Sequence, residues 1–398
     1  MRDFLNILLD QIYVVSSSKL IIKHQEGLGA IAPDQWNRLN HQQNPFLRHE
    51  FLHGLESTNC LAPEGWFPRH ITVQADNKLV AAMPLYLRTN SYGEFVFDWA
   101  WADAYARAGG NYYPKLVSAI PFTPVCGQRI LIDKDFGNAT ELRAIVIKQL
   151  LESAETAKIS SFHCLFPLEE DIAAFADHQL LKRKGFQFHW HNQGYRDFQD
   201  FLDSLTSKKR KQIRRERRQA LAAGIDVKIL KGAAISDEQW HSFYDFYCST
   251  FHRRWGSPRL TLDFFKLLSV KMPESTVLLL AEQQGEYIAG AFAMQGGDTL
   301  YGRHWGCNRQ LPFLHFELCY YQTIDYCINN GLQVLDAGVQ GEHKLSRGFD
   351  PVPTWSCHWL RHAGFRASID DFLGHETREI DYHINNLNQH LPYKTTNQ

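Results

Sequence analysis

The 398-residue sequence has no excess of either charge, because 42 Lys and Arg residues balance 43 Asp and Glu residues. That balance argues against a protein that binds polyanions with its whole surface, although a local basic patch can still bind one. No window reaches about 18 uninterrupted apolar residues, so no transmembrane segment is predicted. The apolar amino terminus FLNILLDQIYVV is interrupted by Asn6, Asp10 and Gln11, and no signal-cleavage site follows it. We therefore expect a cytoplasmic protein, with peripheral contact with an anionic membrane left open.

Several familiar catalytic and redox motifs are also missing. The eight cysteines include no CxxC pair, which leaves zinc ribbons and thioredoxin-type sites without support and favours reduced, buried thiols. No GxSxG, Walker A or GxGxxG motif occurs, so serine hydrolase, P-loop and Rossmann functions are not indicated. The SxxK at Ser16–Lys19 lacks the companion motifs of penicillin-binding enzymes.

Two histidine motifs have the spacing of metal ligands. HEFLH places His49 and His53 one helical turn apart with Glu50 between them, as in zincins, but the following GLE departs from the longer metzincin pattern. In HWH, His189 and His191 would share one face of a strand, and no carboxylate or cysteine lies at a companion spacing. We predict no metal, and a surface helix near a cleft for HEFLH.

The order of predicted elements is similar in the two halves of the chain. Strands are predicted in KLIIKH, HITVQA, KLVAAMPLYLR, GQRILI, SSFHCLF and GFQFHWHN, with an amphipathic helix from Asn138 to Lys158. The aromatic stretch 90–128 lacks clean periodicity and contains many Gly and Pro residues, which predicts ordered loops lining a cleft. In the second half, strands are predicted at 225–230, 276–282, 286–295, 298–306, VLDAG and TWSCHWL, with helices from Ser236 and over 315–330.

This pattern predicts a duplicated α/β (α+β) unit. The expected domains are an N-terminal extension at 1–18, a first domain at 19–195, a basic linking helix with the second domain at 196–380, and a C-terminal tail at 381–398.

One long helix is predicted from Arg196 to Gly224, because Phe198, Phe201, Leu202, Leu205 and Ile213 fall on one helical stripe. Its second half carries eight basic residues: Lys208, Lys209, Arg210, Lys211, Arg214, Arg215, Arg217 and Arg218. Such a run is either a solvated face between domains or a docking surface for a polyanion such as RNA or acidic lipid. Polyanion binding there would depend steeply on salt.

The segment GVQGEHKLSRGFDPVPTWSCHW, residues 338–359, carries the densest group of reactive side chains. It follows the strand VLDAG and contains Gln340, Glu342, His343, Lys344 and Arg347. His343 or Glu342 could act as a base, and Lys344 and Arg347 could bind an anionic donor or a developing oxyanion. A charged surface loop would explain the charges but not the two glycines and the aromatics that follow. The neighbouring strand TLYGRHWG adds Tyr301, Arg303 and His304 as substrate-binding candidates, and Arg303 joins Lys344 and Arg347 as a cation for the donor phosphate or the oxyanion.

The motifs SYGEFVFDWAWADAY, YYPKL, PFTPVCG, SKKRKQIRRERR, LYGRHWG and GVQGEHKLSRGF resemble those of the bacterial Fem-like N-acyltransferases of the GNAT superfamily. The resemblance spans roughly residues 19–380 and implies two GNAT-like domains in tandem, each with a mixed, mostly antiparallel sheet flanked by helices. Its relatives, the peptidoglycan-bridge aminoacyltransferases, transfer an amino acid from aminoacyl-tRNA to an amine of a cell-wall precursor. On this reading the aromatic segment shapes the acceptor side, through Tyr92, Glu94, Asp98, Trp101 and Tyr105.

One departure concerns the donor. Acetyl-CoA-dependent GNAT enzymes bind pyrophosphate with a glycine-containing loop before a helix, whereas CNRQLPFLH at 307–315 has no glycine. We expect no tightly bound cofactor, and the donor is left open among aminoacyl-tRNA, an acyl thioester or acyl carrier, and acyl-CoA. The expected acceptor is an amine of a small molecule or cell-wall precursor. The alternative function is a non-catalytic protein that recognises peptidoglycan precursors or RNA through the same fold.

Overall fold

The computed structural model describes residues 11–15, 18–222, 224–253, 256–338 and 341–394. By its internal contacts the chain divides into two compact units. Unit 1 comprises the chain up to Gly185 together with Thr354–Ile380, and unit 2 comprises Phe186–Pro353 and the chain from Asp381 onward. The predicted domains differ from these two units in two ways. Their boundary was expected at 195/196, and residues 354–380 were assigned to the second domain.

The first half of the described chain begins with strands and ends with a long strand. Its elements are β1 Gln11–Val15, β2 Ser18–Gln25, α1 Pro33–Asn37, α2 His49–Ser57, β3 Trp66–Pro68, β4 His70–Ala75, β5 Lys78–Met83, β6 Tyr86–Arg88, α3 Trp99–Arg107, β7 Lys115–Ser118, β8 Leu131–Ile132, α4 Ala139–Thr156, β9 Ser161–Leu165, α5 Glu169–Asp177 and β10 Leu181–His191. The prediction of loops throughout 90–128 is wrong, because α3 and β7 lie within it. Strand β1 lies inside the predicted N-terminal extension and pairs with β2.

The second half contains a longer antiparallel meander. Its elements are α6 Phe198–Ser204, α7 Ser207–Leu221, β11 Ile225–Lys231, α8 Asp237–His252, α9 Leu262–Lys271, β12 Thr276–Gln283, β13 Glu286–Gly296, β14 Thr299–Cys307, α10 Leu314–Phe316, a π-helical turn Glu317–Tyr321, α11 Gln322–Asn329, β15 Val334–Asp336, a 3₁₀ turn Glu342–Arg347, β16 Asp350–Leu360 and α12 Ala363–Asn388.

Two helix predictions in this half need correction. The long helix from Arg196 is wrong, because Leu205 takes an extended conformation between α6 and α7 and forms a β-bridge with Tyr393. The expected C-terminal tail at 381–398 is also wrong in part, since α12 continues to Asn388.

Each unit contains one parallel strand pair within a mostly antiparallel sheet. In unit 2, β11 to β14 run antiparallel, β14 pairs with β15 in parallel, and β15 pairs antiparallel with the second half of β10. In unit 1, β6 pairs antiparallel with β7, β7 pairs in parallel with β9, and β9 pairs antiparallel with β16. A second sheet in unit 1 has the order β1-β2-β4-β5-β8. Helices pack on these sheets, and the predicted fold class of mixed, mostly antiparallel sheets flanked by helices is confirmed.

The final strand of each unit's mixed sheet comes from the other half of the sequence. In unit 1 this strand is β16, with Ser356 opposite Leu165, and in unit 2 it is β10, with His189 opposite Asp336. The sequence analysis placed TWSCHWL in the second domain and GFQFHWHN in the first, and the structure exchanges them. Strand pairing depends on contacts distant in sequence, which a local pattern does not contain.

Candidate functional site

The parallel strand pair of unit 2 is short. Thr299–Tyr301 of β14 pair with Val334–Asp336 of β15, and among the residues that the structure describes no strand pairs with that side of β14 from Gly302 to Cys307. Asp336 ends β15 by accepting a hydrogen bond from the Gly338 backbone N–H at 2.8 Å. We call the region beyond this point the strand opening. The ends of parallel strands in α/β proteins are common places for ligands and chemistry.

His343 lies on the 3₁₀ turn beside the strand opening, with an exposed side chain. Its Nε2 is 2.9 Å from the Tyr320 hydroxyl, and its ring centroid is 5.4 Å from that of Phe316. Partial burial, together with the charges of Arg347 and Lys344, lowers the pKa of His343. The imidazole is therefore neutral at pH 7 and can accept a proton.

Tyr320 and His315 complete this group, and neither was singled out from the sequence. Tyr320 is 4% exposed, and burial raises its pKa, so the phenol stays protonated. The His315 ring centroid lies 6.2 Å from that of His343 and 5.3 Å from that of Trp305. Burial and nearby positive charge lower the pKa of His315 to about 4. The π-helical turn that sets the direction of Tyr320 has no sequence signature.

Lys344, predicted to bind an anionic donor, instead bonds to the backbone of its own loop. It is 3% exposed, and its Nζ donates to the carbonyls of Ala337 at 2.5 Å and Gly338 at 3.0 Å. Burial lowers the pKa of Lys344 to about 8, although Asp336 partly offsets this. The side chain therefore holds the loop against the end of β15.

Arg347 is likewise used within the protein. Its guanidinium donates to Glu216 at 2.8 Å, to the Tyr321 hydroxyl at 3.0 Å and to the His343 carbonyl at 2.7 Å. The guanidinium carbon lies 3.6 Å from the ring centroid of Phe316. Arg347 and Glu216 are both under 4% exposed, so this ion pair is buried and fixes the turn that carries His343 to α7.

Arg303 and His304 are neighbours on β14 at a register shift: Gly302 lies opposite Ala293 and His304 opposite Phe292, so Arg303 is the extra residue of a bulge. Arg303 lies just beyond the paired part of the strand, and burial lowers its pKa to about 10 while Asp336 acts to raise it. The ring of His304 packs against Tyr247 and Phe292, with centroid distances of 5.0 and 6.2 Å. Burial lowers the pKa of His304 to about 3, which is typical of a core histidine.

The remaining predicted residues of unit 2 have different surroundings. Glu342 is exposed, and its Oε1 lies 3.4 Å from Nε2 of His383. Tyr301 is half-buried and is the last residue of β14 that pairs with β15. Gln340 lies outside the described residues.

In unit 1, the two carboxylates predicted to face the acceptor are buried. Glu94 and Asp98 are 3% and 2% exposed and accept from Lys115 Nζ at 2.8 and 2.6 Å. Arg88 donates to Glu94 at 3.1 Å. Lys115 was missed from the sequence, where a single lysine in a strand gives no signal of burial. Tyr92 is 57% exposed.

A buried histidine pair extends this network. The Nδ1 atoms of His163 and His358 lie 2.6 Å apart, and Nε2 of His163 is 3.1 Å from the Tyr112 hydroxyl, which donates to Asp98. Trp101 packs edge-on against His358 with centroids 5.0 Å apart. Tyr105, half-buried, packs against Tyr112 and Phe365.

The basic residues of α7 divide into two sets. Arg210 pairs with Asp203, Arg214 donates to Gln199, and Arg217 forms a 3.0 Å ion pair with the fully buried Glu317. Within the described part of the chain, the other five have no hydrogen-bond or ion-pair partner: Lys208, Lys209, Lys211, Arg215 and Arg218. Four of these five have i, i+3 or i+4 spacing and are exposed, and we call Lys208, Lys211, Arg215 and Arg218 the cationic stripe.

The histidines of the metal-like motifs have partners within the protein. His49 Nε2 lies 3.0 Å from the Leu28 carbonyl, and His53 Nδ1 lies 3.4 Å from Glu56. His189 Nε2 lies 3.7 Å from Asp336. Over the residues that the structure describes, no group of three or more His, Cys, Asp or Glu side chains could hold a metal ion. Within the same ranges, no helix is long and apolar enough to cross a bilayer.

Each unit has a parallel strand pair within a mostly antiparallel sheet, which fits the tandem GNAT-like fold expected from the sequence. Two solved structures share this fold at a TM-score of 0.53: FemX, which is 11% identical over 85% of this chain and 98% of its own, and the C-terminal domain of a protein described as a lysylphosphatidylglycerol synthetase from Agrobacterium fabrum, 9% identical over 85% and 95%. A search of curated protein sequences finds no match. A model of the FemAB-like family, described as peptidoglycan biosynthesis/recognition, matches residues 27–395. The chain therefore belongs to the FemAB-like family, which confirms the resemblance seen in its motifs.

Proposed function

We propose that this protein is an N-acyltransferase that moves an acyl or aminoacyl group from an activated donor to an amine of a peptidoglycan precursor. The observation that carries the proposal is the His343–Tyr320 pair at the strand opening, with Nε2 and the hydroxyl 2.9 Å apart. Family membership supports the cell-wall acceptor.

The pair can move both protons of an acyl transfer. The acceptor nitrogen attacks the carbonyl carbon of the donor, an N–C bond forms, and the bond from that carbon to the donor oxygen or sulfur breaks. Nδ1 of His343 takes the proton that the nitrogen loses. The leaving atom takes the phenolic proton of Tyr320, and Nε2–H of His343 restores it.

The surroundings favour His343 over Glu342 as the base. Glu342 is exposed and faces His383, whereas His343 contacts the buried Tyr320. Arg303, on β14 beyond Tyr301, is the cation we assign to the developing oxyanion. Lys344 and Arg347 act as positioning residues, because their donors bond to the loop and to Glu216.

The donor we propose is aminoacyl-tRNA, which is made in the cytoplasm, the location expected from the sequence. The exposed cationic stripe supports a polyanionic donor. The connection from β14 to α10 contains no glycine, and Phe313 takes the positive φ of 63° there. That connection lacks the close backbone approach with which glycine loops bind pyrophosphate.

The test is a transfer assay followed by mass spectrometry. Purified protein is incubated with a mixture of aminoacyl-tRNAs and an amine-bearing peptidoglycan precursor, and the precursor is examined for the added mass of an amino acid. We expect His343→Ala to abolish the product and His375→Ala, an exposed histidine on α12, to leave it unchanged. If the protein binds the precursor but transfers nothing to it, the result would instead support the alternative function, a non-catalytic protein that recognises peptidoglycan precursors.

A further inference from the structure

The segment 92–100 of unit 1, YGEFVFDWA, presents apolar side chains to solvent. Tyr92 is 57% exposed, Phe97 45% and Trp99 46%, values that are high for such large side chains. The Phe97 and Trp99 rings stack with centroids 4.5 Å apart, and Tyr92 lies 5.8 Å from Trp99. We call residues 92–100 the aromatic loop. A contiguous exposed patch of this kind marks an interaction surface.

The two charged residues of the aromatic loop point away from this patch. Glu94 and Asp98 are buried and form ion pairs with Lys115, and Glu94 also pairs with Arg88. Burial of both carboxylates leaves Tyr92, Phe97, Trp99 and Ala100 as the exposed residues of the loop. The loop therefore presents no charge that an anionic surface would repel.

The backbone of the aromatic loop is fixed from below. Arg88 donates to the Tyr92 carbonyl at 2.7 Å, and Arg183 donates to the Phe97 carbonyl at 2.8 Å. Arg183 is held in turn by two hydrogen bonds to Glu376, at 2.7 and 2.8 Å. A loop that is already ordered loses little conformational entropy when its side chains are buried against a partner.

From this arrangement we infer that the aromatic loop inserts into the interface of a lipid bilayer. Tyr and Trp have an apolar ring and one polar group, which suits the boundary between acyl chains and headgroups. A glycan or a peptide would be recognised by charged hydrogen-bonding groups beside the rings, and in this loop both carboxylates are paired inside the protein, which favours lipid as the partner. The inference goes beyond the proposed transfer reaction and does not depend on it.

Vesicle binding tests the inference directly. Full-length protein is sedimented with phosphatidylcholine vesicles containing roughly 30% phosphatidylglycerol, at about 0.1 M and about 0.5 M NaCl. Binding through the cationic stripe would disappear at the higher salt, whereas insertion of the aromatic loop persists. We expect Tyr92→Ser, Phe97→Ser and Trp99→Ser each to lower the partition coefficient by about 5-fold, since each removes roughly half a buried aromatic side chain.

A matched control and a milder variant keep the result interpretable. The double variant Phe372→Ser/Tyr382→Ser, which removes aromatics 47% and 71% exposed elsewhere on the chain, should change binding by less than about 2-fold. Trp99→Phe keeps the loop apolar, and it should remove the component of tryptophan fluorescence that brominated lipids quench. No vesicle binding by the unmodified protein would overturn the inference. The inference would also be overturned if the protein self-associates without binding lipid and the three serine substitutions abolish that self-association.

Discussion

At the scale of single residues, the surroundings of His343 determine its protonation state. Burial and two neighbouring cations both disfavour its protonated form. In the proposed reaction, His343→Ala should lower turnover by about 10²–10⁴-fold, the usual range for a positioned acid–base group. Because its pKa is lowered, kcat/KM should stay constant as pH falls to the ordinary histidine value of 6.5 and decline only below it. Circular dichroism of the variant checks that the fold is retained, and a full rate in His343→Ala would exclude the proton relay.

Gly341 is a second residue whose role can be isolated. It has φ +98°, and an added Cβ would lie 2.4 Å from Cε1 of His343. Gly341→Ala should therefore displace the imidazole and lower turnover by about 10-fold or more, following the sensitivity of catalysis to small displacements. Gly331 also has a positive φ, +67°, with nothing within 4 Å of an added Cβ, so Gly331→Ala is a control for the strain that a positive φ imposes on alanine, about 1–2 kcal/mol. Steady-state kinetics and melting temperatures are measured for both variants. Equal turnover in Gly341→Ala and Gly331→Ala would contradict the prediction.

The residue types of the candidate site were predictable from the sequence, but their partners were not. His343, Lys344 and Arg347 stand close together in the chain, so their loop could be found by inspection. Tyr320 and Glu216, which bond to His343 and Arg347, are separated from them by 23 and 131 residues. The sequence therefore showed Lys344 and Arg347 as available cations, whereas the structure shows both bonded to groups within the protein.

At the scale of elements, α7 has two opposite faces with different contacts. Its inner face carries Ile213, Glu216 and Arg217. Glu216 forms a buried ion pair with Arg347 of the 3₁₀ turn, and the half-buried Arg217 pairs with Glu317 of the π-helical turn. Its outer face carries the cationic stripe. Any polyanion bound to the stripe would thus rest on the helix that holds the two turns of the strand opening.

The stripe can be tested with tRNA as the probe. Changing Lys208, Lys211, Arg215 and Arg218 to Ala should reduce the slope of log K against log salt by up to about 3.6, because each lost phosphate contact on a duplex contributes about 0.9. The inner face is left intact, so thermal stability should hardly change. Lys271→Ala removes an exposed cation of α9 and should leave the slope as it was. Filter binding over a salt series measures the slope for each variant. An unchanged slope in the stripe variant would show that the cationic stripe is only a solvated helix face.

Elements with strong local patterns were predicted well, and those set by distant contacts were not. The amphipathic helix from Asn138 appears as α4, with the Asn138 side chain accepting from the Glu141 backbone at 3.1 Å. The break at Leu205 was missed, because the apolar stripe continues through it and the bridge to Tyr393 that stabilises the extended residue lies far along the chain.

At the scale of the whole molecule, the exchange of final strands makes the folding of each unit depend on both halves of the sequence. Unit 1 includes β16 and the first part of α12, and unit 2 takes the second half of β10 and the end of α12. A cut at 195/196, the boundary expected from the sequence, would leave β9 without its antiparallel partner β16. We expect a chain ending at residue 195 to be insoluble or unfolded, whereas the full chain folds. Circular dichroism of the fragment measures this, and a native-like melting transition would contradict it.

The buried histidine pair of unit 1 should make the stability of the protein depend on pH. His163 and His358 are each 1% exposed. Burial and the charge of Lys115 lower the pKa of His163 to about 3, and burial with His163 and Arg183 lowers the pKa of His358. In the unfolded chain both rings bind protons below about pH 6.5, so the unfolded state takes up more protons than the folded state between that value and the folded pKa. The free energy of unfolding therefore falls as pH falls through this window, by up to about 1.4 kcal/mol per pH unit for each histidine.

A single substitution separates this pair from the other titrating groups. The pKa of Asp98 is lowered, so its contribution is lost only below the ordinary aspartate range of about 4, outside the upper part of the histidine window. His358→Gln keeps hydrogen-bonding capacity but removes one titrating ring, so the difference in unfolding free energy between about pH 7 and about pH 5 should shrink by roughly 1–2 kcal/mol. His375→Gln, an exposed ring on α12, should leave that difference unchanged. Urea unfolding at both pH values measures it. If the two variants show the same pH dependence, the pKa of His358 is not lowered by folding, and the loss of stability at low pH comes from other titrating groups.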